Sequence, residues 1–99
     1  MPSMVEITGA DGESIVHDGA TVAKFKHHGK QETARNPVST FRELRISQKK
    51  SLLGKVKDPD RYDALLAMSS LMTLNVDAEG KAALEALAAE LQSAVDAGS

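Results

Sequence analysis

The sequence predicts an α+β fold: a small N-terminal antiparallel β-meander followed by two or three α-helices, the last two forming a helical hairpin. Three observations point there. Short β-leaning runs near the N-terminus are separated by the turn formers Gly9-Ala10-Asp11-Gly12 and Asp18-Gly19. Asp58-Pro59 has the form of a helix start, with Asp as N-cap and Pro in the first turn, where its missing N–H does no harm. From Asp77 onward, an Ala- and Leu-rich tail places its leucines at helical spacing.

In chain order, residues 5–7, 13–17 and 21–27 read as three strands. Asp-Gly between apolar runs is a hairpin signal because both residues tolerate positive φ. With Asp18 and Gly19 as the central turn residues, Ile15 falls opposite Val22 and Glu13 opposite Lys24, one apolar and one opposite-charge cross-strand pair. Residues 28–37 are polar, lack a period and end in Asn36-Pro37, so a loop is expected.

At 39–50 the pattern favours a helix opened by Ser39 or Thr40, with a strand over 40–47 as the rival. Residues 40–56 (TFRELRISQKKSLLGKV) resemble the second half of a helix-turn-helix, with a bend at Ile46-Ser47 and a basic helix from Gln48. They depart from that pattern at Arg45, where Gly is favoured, and at Ser51 and Gly54, where apolar residues are buried. No function is carried over from the resemblance.

Residues 58–74 are expected to be helical, with Tyr62, Leu65, Leu66, Ser69 and Met72 on one face and Ala64, Ala67, Met68, Leu71 and Leu74 on a second apolar face beside it. The last helix, capped by Asp77 and running to about 97, carries Leu84, Leu87 and Leu91 in one stripe. Its alanines at 82, 83, 86, 88 and 89 permit close approach by a neighbour. The expected organisation is one domain over 1–99: β-rich at 4–27, a basic loop with helix or strand at 28–57, and the helical hairpin at 58–97.

Charge is strongly polarised. Residues 24–61 hold eleven of the twelve Lys and Arg against four acids, a formal +7, flanked by −4 upstream and −5 downstream. With no cysteine, disulfides and thiolate chemistry are excluded. The chain does not open on a basic region followed by an apolar one, and its longest apolar runs are far too short to span a bilayer. A cytoplasmic protein without membrane association is expected.

Candidate chemistry is sparse. Adjacent His27 and His28 point to opposite faces of a strand, and His17 lies by a turn, so no metal site is expected. Asp58, Asp60 and Asp63 depart from a calcium loop at the sixth position, which is Asp63 rather than Gly, and at the twelfth, which is Ser69 rather than Glu. The seven glycines lack phosphate-loop spacing. No catalysis and no cofactor are expected.

The remaining features concern partners. The basic residues Lys24, Lys26, Lys30, Arg35, Arg42, Arg45, Lys49, Lys50, Lys55 and Lys57 could meet an acidic protein surface, the chain's own acids, or nucleic-acid phosphates. With two Phe, one Tyr and no Trp, stacking on bases is nearly unavailable. Leu65, Met68, Leu71, Met72, Leu84, Leu87 and Leu91 are the candidate partner or oligomer surface. The expected function is therefore a non-catalytic interaction or assembly module that self-associates, as a homo-oligomer, or docks a partner through its C-terminal helices. A small nucleic-acid-binding regulator using residues 24–61 is the alternative.

Overall fold

The structure, a computed structural model, describes residues 4–48 and 60–98. The first sheet is a four-stranded antiparallel meander of β1 (Val5–Thr8), β2 (Ser14–His17), β3 (Thr21–Lys26) and β4 (Gln31–Pro37), in that spatial order. Its hairpins are set by local chemistry. The Asp18 carboxylate accepts the Ala20 and Thr21 N–H groups at 2.9 and 2.7 Å, and Gly19 takes φ 98 between them. At the next tip His27, His28 and Gly29 all have positive φ, and the His28 N–H donates to the Gly12 carbonyl. His17 pairs with Val22 and Ile15 with Lys24, a register two residues away from the expected one. A shift of two preserves the faces, so Glu13 still reaches Lys24, as an ion pair of 2.6 Å.

A single 3-10 turn at Val38–Thr40 leads into the second sheet, in which β5 (Glu43–Ser47), β6 (Tyr62–Ala67) and β7 (Leu71–Val76) lie in antiparallel order β5-β6-β7. The α-helix among the described residues is α1 (Ala78–Gly98), opened by the Asp77 carboxylate accepting the Gly80 N–H at 2.8 Å. The core lies between the layers. Ile7, Ile15 and Val22 come from the first sheet, and Leu66, Met72, Leu74 and Val76 from the second. Leu84, Leu87 and Leu91 close it from α1.

This architecture overturns the expected meander followed by two or three helices. Residues 60–76 form no helix: Tyr62↔Val76 through Ala67↔Leu71 pair as a β-hairpin turning at Ser69 and Ser70. Ala64, Leu66, Met72, Leu74 and Val76 point inward at every second position, and the second apolar helical face came from Leu65, Leu71 and the buried Ala67, which alternate with them on the opposite face of the same hairpin. There is thus no C-terminal helical hairpin. Residues 31–37 form β4 rather than a loop; its closing Pro37 is tolerated because β4 is an edge. Over 43–47 the chain is strand β5 rather than helix, which removes the helix-turn-helix likeness there. The helix start at Asp58-Pro59 and the basic continuation from Lys49 lie outside the described residues.

Candidate partner-binding groove

The second sheet has two edges, and the chain treats them differently. Along β7, carbonyls on the free side are met by side chains: Lys24 Nζ donates to the Thr73 carbonyl and Arg61 Nη2 to that of Asn75 at 3.1 Å. Asn36, buried on β4, closes the adjoining turn by donating to Ser70 Oγ at 2.8 Å and accepting from Ser69 Oγ. Inward-pointing polar side chains of this kind block an edge against further pairing.

Among the described residues the edge at β5 is open. Among the described residues no strand pairs with β5 on the side away from β6. There the strand borders a groove of about 790 Å³ that separates it from α1. Phe41, Leu44, Ile46 and Tyr62 make the apolar floor, while α1 contributes Lys81, Glu85, Ala88, Ala89 and Gln92. Alternation on β5 explains the placement: Leu44 and Ile46 turn to the core side and stay half-buried, whereas Glu43, Arg45 and Ser47 face out and are exposed. The small side chains of Ala88 and Ala89 keep the helix wall low.

The charges at the rim are largely matched within the chain. Glu43 lines the groove, and its Oε1 lies 2.9 Å from Nε of Arg45, which does not; Lys81 Nζ lies 3.2 Å from Glu85 Oε1 and 5.5 Å from the centroid of the Tyr62 ring. Arg42, at the entry to β5, is exposed and forms no ion pair among the described residues.

The basic residues singled out in the sequence are dispersed. Lys24 is buried against Glu13, and Arg35 is held by Glu32 at 2.6 Å and Asp18 at 3.1 Å. Lys26 and Lys30 flank the β3–β4 tip, whereas Arg35 pairs with Ala23 toward the other end of that hairpin. Arg45 belongs to β5 and Arg42 immediately precedes that strand, and Lys49, Lys50, Lys55 and Lys57 lie outside the described residues.

Of the apolar surface candidates, Met68, Met72, Leu84, Leu87 and Leu91 are core residues, with Leu84 fully buried. Leu65 is half-buried, and Leu71 alone of the seven is exposed, at 70%. The groove residues Phe41, Leu44, Ile46 and Tyr62 were not among the sequence candidates. The signal for them is the alternation Leu44-x-Ile46, legible only once β5 is read as a strand.

The histidines do not gather. His17 is buried opposite Val22, five residues along β3 from His27, about 16 Å at strand rise. Among the described residues no helix is long and apolar enough to cross a membrane.

No protein-family model, no curated protein and no solved structure matches the chain.

Proposed function

We propose that this chain is a non-catalytic protein-interaction module that takes an extended segment of a partner protein along the edge of β5, between that strand and α1. The observation that carries the reading is the contrast between the two edges of one sheet: β7 is sealed by Lys24 and Arg61, while β5 opens on an apolar-floored groove. An unpaired edge supplies main-chain hydrogen bonds for an added strand, and flanking pockets select its alternate side chains. Support over the nucleic-acid alternative comes from the internal neutralisation of Lys24, Arg35 and Arg45 by acids of the same chain.

The test is a selection from a displayed library of random peptides about ten residues long against the full chain. Amide-shift mapping of the winners by NMR follows. The expected ligands are extended, shift Glu43 to Ser47 and the Lys81 to Gln92 side of α1, and lose binding to the Ala89→Trp variant, in which an exposed position fills the groove. Ligands that map elsewhere and ignore Ala89→Trp would overturn the reading. Light scattering of the full chain over a concentration series tells a second copy from a different protein as the occupant.

A further inference from the structure

Resting on that reading, we infer that the segment seated on β5 is β5 of a second copy of this chain, the two strands pairing antiparallel about a two-fold axis at Arg45. The second sheets of the two copies then join into one. An open edge asks of its occupant an extended segment with a free edge of its own and apolar side chains two apart. β5 meets both conditions. Leu44 and Ile46 are half-buried between the exposed Glu43, Arg45 and Ser47, and among the described residues no strand covers its outer side. β7 cannot take this part, because Lys24 and Arg61 occupy carbonyls on its free side.

Symmetry selects the register. A two-fold axis normal to the sheet keeps every side chain on its own face, so exposed residues of one copy stand opposite exposed residues of the other. With Arg45 on the axis, the whole of β5 (Glu43–Ser47) is paired. Leu44 lies opposite Ile46 of the second copy, Ile46 opposite its Leu44, and Glu43 and Ser47 opposite one another. The two apolar pairs fall on the groove side, where Leu44 and Ile46 join Phe41 and Tyr62 in the lining, and they lose surface that the single chain leaves wet. A shift of two residues either way leaves only residues 43–45 or 45–47 paired.

The charges of the strand are self-complementary as well. Two arginines opposed on the axis repel, but each Arg45 is already tied to its own Glu43 at 2.9 Å. The pairing also brings Glu43 of the second copy to the diagonal position, about 7–8 Å away and within reach of a long side chain. The two arginines and two glutamates around the axis sum to zero.

The chain has no cysteine, so a single introduced one reports on its own surroundings. A residue on the axis faces its own copy within the Cα separation of a disulfide, whereas Glu43 and Ser47 each lie about 13 Å along the strand from theirs. The experiment makes Arg45→Cys, Glu43→Cys and Ser47→Cys in the full chain, all at exposed positions. Each is oxidised with copper phenanthroline and read as dimer on a non-reducing denaturing gel, beside light scattering of the unaltered chain. The mass is expected to double as concentration rises toward about 1 mM. Arg45→Cys alone should cross-link about tenfold faster than Glu43→Cys or Ser47→Cys alone, and a mixture of those two should cross-link faster than either by itself.

A single chain's mass throughout, or a cross-linking order in which Arg45→Cys alone is not the fastest, would overturn the inference. The groove reading would stand in that case if selected peptides still shifted Glu43 to Ser47 and lost binding to Ala89→Trp. Loss of that mapping too would remove both.

Discussion

Lys24 Nζ and Glu13 Oε1 lie 2.6 Å apart, with the lysine side chain only 6% exposed and the glutamate 29%. The asymmetry in burial sets the outcome of breaking the pair. Glu13→Gln leaves a buried ammonium with the Thr73 carbonyl as its remaining acceptor, and should destabilise by about 2 kcal/mol. Lys24→Met should cost less, because the remaining carboxylate can rehydrate. Urea unfolding at neutral pH measures both; a larger loss for Lys24→Met would show that the lysine acts mainly by sealing the β7 edge.

Acid should weaken the fold through two carboxylates. The Thr21 and Ala20 N–H groups, with help from the Thr21 hydroxyl and Arg35, pull Asp18 down to about 2. The hydrogen bond from Lys24 lowers Glu13 from its ordinary value. A depressed carboxylate contributes stability that is fully present above its unfolded pKa and is lost as pH falls through the folded one. Urea midpoints should therefore fall from about pH 4.5 toward about pH 2. Asp18→Asn should flatten that decline, and a decline as steep as in the unaltered chain would remove Asp18 from the account.

Neighbouring positions on β7 should respond in opposite ways. Leu71 is 70% exposed and Met72 2%, so Leu71→Asp should change stability by no more than about 0.5 kcal/mol. Met72→Ala should cost about 2–5 kcal/mol through the cavity it leaves. Denaturant unfolding of the two variants checks the placement of these neighbours on opposite faces of β7.

His17 presents a buried Nδ1 with no hydrogen-bond partner among the described residues, 3.9 Å from Glu90 Oε2 on α1. Replacing an orphaned polar atom by an apolar side chain of similar size should be neutral or stabilising. His17→Leu is expected to hold or raise stability by about 1 kcal/mol in urea unfolding near pH 8. A loss of that size instead would mean that the imidazole has a satisfied role against α1.

The sequence made the first three strands and the last helix legible, because Asp18-Gly19 and Asp77 act through their nearest neighbours. It misled where long-range pairing decides. Residues 62–67 (YDALLA) are good helix formers, and their inward row is masked by apolar Leu65 and Ala67 on the other face, so the period of two is visible only in 72–76 (MTLNV). Residues 31–37 show no apolar alternation because β4 is an exposed edge, apart from Asn36, which turns inward to a turn 34 residues away. The groove shared this fate. Its floor is assembled from β5, β6 and the approach to β5, and no window of the sequence contains them together.

The place of α1 in the chain also has a consequence for biosynthesis. Both sheets precede it, and Leu84, Leu87 and Leu91 are the side chains that dry the core they share. During translation the hairpins of β1–β4 and β6–β7 can pair as they leave the ribosome, yet Leu66, Met72 and Val76 stay wet until the helix has emerged. Until then the nascent chain presents a greasy surface of the kind that holding chaperones recognise.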